Sequence, residues 1–391
     1  MTHKHLFGRF AAQAQAADRV HFAAHSHHWW PDVSFTAQSQ AWDDAAELVD
    51  DKWPHIFATV LPRFQAHVAA TLNLPDPATV AVAPNTHEFV ARIQSCLDER
   101  RPVRWLTTSS EFHSLGRQLA RWIEAGRVVA TVIDTEPFDT FAERFSEAAS
   151  RPDHDLIYCS QVFFDSGFPV PDLTALVGAC HADAVVVIDG YHGFCARPTD
   201  LAPIAERAFY ISGGYKYAMA GEGACFMHCP PGLLPRPVDT GWYAGFGELQ
   251  RRNKGEVAHA TDGSRFLGAT FDPSGLYRFN AVQDMLASEG LDIAAIHDHV
   301  VALQQRFLSG LRQLGRTIDG LAPAQLLPQG ETAERGHFLT FRSERGEALH
   351  AALAAERVAT DVRDDRLRLG FALYHDDADV DELLRRIAQL G

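Results

Sequence analysis

Short runs of β-branched and apolar residues recur through the middle of the chain, at residues 79–83, 103–107, 128–133, 156–159, 185–189, 209–212 and 224–228. Between several of them the apolar positions shift to helical spacing. Leu173, Leu176, Val177 and Cys180 fall on one face of a segment at 172–181, and a second such segment spans 115–125. Alternation of strand runs with amphipathic helices predicts an α/β domain built on a mostly parallel sheet. In such sheets ligands bind beyond the carboxyl ends of the strands, so the residues that follow each run are where chemistry is expected.

The pattern changes near Leu276. A long helical region at 280–315 precedes two candidate strands, 337–341 and 367–373, and a final helix at 379–390. This reads as a smaller α+β domain. The segment before Val80 is mostly helical and carries Trp29, Trp30, Trp42 and Trp53. The expected organisation is an N-terminal segment (1–60) packing on the small domain, a large ligand-binding domain (61–275) and a C-terminal small domain (276–391).

Charge narrows the partners. The net charge of −15, from 35 basic and 50 acidic residues, argues against nucleic acid, which needs a basic face. No apolar run approaches the roughly 18 residues of a membrane span, and no apolar core of a signal peptide is visible. The six cysteines form no CxxC pair, which fits reduced thiols in a cytoplasmic protein. The cluster His25-Ser26-His27-His28 has no close cysteine or carboxylate partners, and His87-Glu88 starts no HExxH motif because position 91 is alanine. No metal site is expected.

The strongest chemical signal is an acid and a lysine, Asp189 and Lys216, 27 residues apart at the ends of two successive strand runs. Val185-Val186-Val187-Ile188-Asp189 puts an acid at the end of a buried run, followed by Gly190, Tyr191 and His192. Phe209-Tyr210-Ile211-Ser212 leads through Gly213-Gly214-Tyr215 to Lys216, with Gly221 and Gly223 beyond. An acid at the mouth of a buried strand costs desolvation unless a cation faces it. A protonated pyridine nitrogen is such a cation, and a lysine amine close by can hold an aldehyde. Taken singly, each residue also reads as a surface-turn acid or a solvated lysine.

The Asp-x-x-His pair, followed by Tyr-Lys and a glycine-rich turn, resembles the class V, fold-type I pyridoxal-phosphate (PLP) enzymes, and among them kynureninase most. Supporting stretches are His21 to Ser26, Trp53, Val82-Ala83-Pro84-Asn85-Thr86, Glu111-Phe112, Asp165-Ser166-Gly167, Gly241-Trp242 and Arg366 to Gly370. The resemblance implies a large domain with a seven-stranded sheet between helices, PLP as a Schiff base on Lys216, and Asp189 on the ring nitrogen. It implies that His192 lies near the ring, that Phe112 stacks on it, and that Asn85, Thr86, His87, Tyr215 and, less directly, Ser212 hold the phosphate. Helix N-termini favour anions independently of family, and Thr86 also reads as a plain helix cap. Thr270 would reach the phosphate of a neighbouring subunit, which implies a homodimer with shared sites. Arg368 would clamp the substrate carboxylate. Trp242, His25 and Ser26 would face the substrate. Trp242 and Phe112 read equally as core aromatics.

The family reaction would remove the α-proton with the lysine amine, Tyr215 assisting, and hydrolyse the Cβ–Cγ bond to alanine and an aromatic acid. Two departures touch the substrate side: Thr270-Phe271-Asp272-Pro273 where kynureninases carry Asn-Pro, and Ala24-His25-Ser26-His27-His28 where they read roughly Gly-Asn-Ser-Leu-Gly. A class V aminotransferase, an epimerase or lyase of the same fold, and a non-catalytic PLP-fold protein therefore stand as alternatives. A desulfurase needs a late nucleophilic cysteine, and none follows Cys229.

Overall fold

The computed structural model describes residues 3–97, 100–248, 257–330 and 332–390. Seven strands form the central sheet: β1 (Val80–Ala83), β2 (Val103–Thr108), β3 (Val128–Ile133), β4 (Leu156–Ser160), β5 (Val185–Asp189), β6 (Ala208–Ser212) and β7 (Cys225–His228). They are the seven apolar runs of the sequence, displaced by at most one residue at each end. The spatial order is β1-β7-β6-β5-β4-β2-β3. Only β7 runs against its neighbours. The inner strands are apolar on both faces because both are covered: every residue of β4 and β6 is buried. Helices such as His113–Glu124 and Phe138–Ala149 bury Leu115, Leu119, Phe141 and Phe145 against this core.

The expected helix at 280–315 is two helices, Ser274–Ser288 and Ile293–Gln313. Gly290, with φ +66°, ends the first, and Asp292 caps the second by accepting from the Ala295 N–H at 2.7 Å. The expected strand at 367–373 stops at Gly370, after which Phe371 N–H bonds the His337 carbonyl and the chain turns away. The last helix, Asp377–Ile387, starts earlier than its apolar pattern suggests, because Asp376 and Asp379 form a capping box.

Strands Asp361–Arg363, Arg366–Gly370, Phe338–Arg342 and Leu326–Leu327 form a second, antiparallel sheet in that order. Val20–His21 pairs in parallel with Val358–Ala359, and Phe22 joins the apolar cluster of Phe307, Phe341, Leu369 and Phe371. The N-terminal helix Val33–Leu48 lies along Ser274–Ser288. Nearby, Trp30 packs under Gly221, whose φ of +70° and lack of a Cβ are both required there. No helix among the described residues is long and apolar enough to cross a membrane.

Candidate active site

The parallel pairing of β5 and β6 sets Asp189 opposite Ile211, so the turn that follows Ser212 returns over the end of β5. Gly213 makes this possible. A Cβ there would collide with the Tyr191 hydroxyl and the Cys225 sulfur. The turn delivers Lys216, which is 5% exposed, to the same cavity as Asp189. That cavity measures about 210 Å³, and Asn85, Thr86, His87, Phe112, His192 and Tyr215 also line it.

Lys216 Nζ lies 2.7 Å from His192 Nε2. The rings of Tyr191, Phe112 and Tyr215 surround the amine at 5.2, 5.5 and 5.6 Å from their centroids. Burial in this apolar box, reinforced by the nearby Arg368 charge, pulls the Lys216 pKa down to about 7. Burial likewise holds His192 neutral, well below the usual imidazole range, with the Lys216 charge acting in the same direction. The imidazole therefore offers a lone pair to the amine.

Asp189 accepts hydrogen bonds from the Tyr158 hydroxyl at 2.8 Å and the Tyr191 N–H at 2.9 Å. Even so, burial pushes its pKa above the usual carboxylate range. Among the described residues no cationic side chain forms an ion pair with it. Glu111 is close behind. It accepts from Thr108 Oγ1 at 2.8 Å and from Ser160 N–H and Oγ at 3.1 and 2.5 Å, and burial raises its pKa to about 8. With Glu111 protonated at neutral pH, Asp189 can be the single anion at this strand end.

At the other end of the cavity, Asn85 caps the helix Thr86–Ser95 by accepting from the Glu88 N–H at 3.1 Å. The cap is thus Asn85 and not Thr86, and Thr86 and His87, the first two residues of the helix, line the cavity.

The remaining expected site residues lie elsewhere in this chain. Ser212 is completely buried beneath the turn, its hydroxyl without a partner, and does not line the cavity. Arg368 and His25 are buried together beside it, joined through Asp361. Ser26 bonds its neighbour His27. Trp242, 41% exposed, stacks on Tyr243 at 4.2 Å and does not line the cavity. Thr270 lines a separate cleft of about 470 Å³ with Arg92, Gly241 and Gly268. The sequence reading missed Tyr158, Ser160, Phe164, Tyr191 and Asp361. Ser160 and Tyr191 directly follow or end strands and were accessible to the strand-end rule. Asp361 was not, because only sheet pairing aligns it with Arg368.

Residues 296–387 match the family model described as the kynureninase C-terminal domain. A comparison with curated protein sequences finds no match. Solved structures share the whole architecture at low identity. A mutant of C-DES with glycine covalently linked to the PLP cofactor is 19% identical, covers 100% of both chains and superposes with a TM-score of 0.83. The apo cysteine desulfurase from Thermococcus onnurineus NA1 is 14% identical over 94% of each chain, with a TM-score of 0.74. The cysteine desulfurase CsdA from Escherichia coli is 18% identical over 97% of each chain, with a TM-score of 0.73.

Proposed function

We propose that this chain, whose fold is that of the class V, fold-type I PLP-dependent enzymes, is itself a PLP enzyme acting on an amino acid, by kynureninase-like hydrolytic cleavage of the Cβ–Cγ bond. One observation carries the reading: Asp189 and Lys216, from adjacent strand ends, line a single cavity. The donor set fits the group. Asp189 is a deeply set acid with no cationic partner among the described residues, Lys216 is a buried amine near neutrality, and a capped helix N-terminus sits across from them.

Bound there, PLP would supply an electron sink for a carbanion at the substrate Cα. Asp189 would hold a proton on the ring nitrogen, because a carboxylate buried without a cation gains most from one. Lys216 would hold the aldehyde through its amine and take the proton from Cα, with His192 accepting a hydrogen bond from the free amine. Phe112 offers an apolar ring face carrying no titratable group. Asn85, Thr86, His87 and Tyr215 would hold the phosphate, with the helix N-terminus favouring its charge. Arg368 would bind the substrate carboxylate. Its position outside the cavity wall, 3% exposed, implies that it is reached by a local rearrangement. Thr270 and Trp242, which do not line the Lys216 cavity in this chain, would contribute to the site of a second subunit in a cytoplasmic homodimer.

A second reading is elimination at a Cβ–S bond. It is favoured by the similarity to C-DES, which is named a cystine C–S lyase in complex with cysteine persulfide. A persulfide carried on this chain's own thiol fits poorly: among the described residues Cys225 is the one cysteine that lines the cavity, and burial pushes its pKa up to about 11. The test is a panel of kynurenine, 3-hydroxykynurenine, cystine and common amino acids, with cofactor absorbance and products followed together. Alanine and an aromatic acid support hydrolysis. Pyruvate and ammonia from cystine would replace it with elimination. Protein that stays colourless with PLP overturns both.

A further inference from the structure

Asp361 and Arg368 are register partners on neighbouring strands of the small sheet. Arg368 Nη2 bonds Asp361 Oδ2 and Nη1 bonds the Phe164 carbonyl. A guanidinium has five N–H donors, and Nε of Arg368 is buried with no partner. Both ring nitrogens of His25, which is completely buried, are also without partners, although Nε2 lies 3.6 Å from Asp361 Oδ2. Arg368 Nε–H and the single N–H of a neutral His25 are thus two buried donors without an acceptor. Asp361 holds a second cation through its other oxygen: Oδ1 is 2.6 Å from Arg363 Nη1. The two arginines differ in burial, with side chains 4% exposed for Arg368 and 39% for Arg363.

Burial alone would raise the Asp361 pKa, but His25, Arg368 and Arg363 outweigh it and hold the carboxyl ionised well below the usual range. A buried guanidinium deprived of its anion is strongly destabilising, so the free protein needs Asp361. An incoming carboxylate puts a second negative charge on the same guanidinium. That charge is tolerated if Asp361 shifts toward Arg363, and it is partly cancelled if the ligand also carries an ammonium group.

We propose that Asp361 is a specificity-determining counter-ion: it occupies Arg368 in the free protein, yields it to the carboxylate of a zwitterionic amino acid while staying on Arg363, and disfavours plain carboxylates. The proposal rests on Arg368 being the substrate clamp.

Propionate, a carboxylate with no amino group, is the probe. It is titrated calorimetrically into wild type, Asp361→Asn, Arg363→Gln and Arg368→Gln, each with and without PLP. Thermal unfolding is followed with and without propionate. Asp361→Asn should bind propionate at least ~10-fold more tightly than wild type, and should unfold earlier unless propionate is present. Arg363→Gln changes a partly exposed side chain, should fold normally, and should bind propionate more weakly because Asp361 has lost its alternative partner. Equal or weaker binding by Asp361→Asn, or no propionate binding by either wild type or that variant, overturns the proposal. If Asp361→Asn does not fold, unchanged or tighter binding by Arg363→Gln overturns it. Failure of the underlying reading looks different: Arg368→Gln would bind propionate as wild type does, or the protein would stay colourless with PLP.

Discussion

Lys216 Nζ sits 2.7 Å from His192 Nε2, and burial disfavours the charged form of both groups. A large share of free amine at neutral pH is therefore built into the fold before any ligand arrives. The pH dependence of PLP loading follows from it. Attack on an aldehyde needs the neutral amine, so the second-order rate constant for cofactor binding should rise through about pH 7 and level off above it. Arg368→Gln removes a cation that lowers the Lys216 pKa, so the rise should move to higher pH. Stopped-flow absorbance across a pH series measures both.

Lys216→Ala should leave the fold intact, since the change removes a buried amine without exposing core. The visible cofactor band should be lost and turnover should fall by roughly 10³-fold or more, as expected when the acid–base group itself is removed. Circular dichroism paired with the cofactor spectrum checks this. A variant that keeps the native visible spectrum would mean another residue holds the aldehyde.

Asp189→Asn keeps the side-chain volume and loses the charge. PLP should still bind, but solvent exchange of Cα deuterium should slow by at least ~10²-fold, because an amide cannot keep the ring nitrogen protonated. Exchange measured by proton NMR gives the answer. Near-normal exchange would contradict the role given to Asp189.

Gly190 lies against Tyr210, and a Cβ at that position would overlap the ring and hydroxyl. The Tyr210 hydroxyl is in turn bonded to Gln161 Oε1 at 2.8 Å in the core. Gly190→Ala should cost about 1–3 kcal/mol of stability through overpacking and should weaken PLP binding by displacing the end of β5. Urea unfolding and a PLP titration on the same variant separate the two effects.

Burial drives the pKa of His21 down to about 3 and those of His28 and His228 to about 4, while His337 and His375 are held well below the usual range. The folded protein thus keeps these imidazoles neutral, whereas the unfolded chain protonates them near pH 6.5. Stability from these groups is complete above pH 6.5 and is lost as pH falls from there toward the folded values. Each tenfold loss of proton affinity on folding corresponds to about 1.4 kcal/mol, so several such imidazoles together weigh heavily against a typical folding free energy. Calorimetry should show the unfolding midpoint dropping steeply between pH 6.5 and 4. A flat profile over that interval would mean the histidines are not neutral in the folded state.

The sequence by itself determined the strands of the large sheet, because an apolar run covered on both faces looks the same before and after folding. It also determined that an acid and a lysine follow two such runs, which is why Asp189 and Lys216 were legible. The break at Gly290 and the early start of the last helix were legible too, from a glycine and a capping box, but apolar periodicity obscured them. Tertiary structure alone decided what depends on pairing between distant segments. Tyr158 reaches Asp189 because β4 lies beside β5, Glu111 meets Ser160 across 49 residues, and Asp361 meets Arg368 through strand register. No local pattern encodes such contacts, since each is set by the order and register of the sheets. The same geometry leaves Trp242 and Thr270 outside the lining of the Lys216 cavity in this chain, which one-dimensional spacing does not reveal.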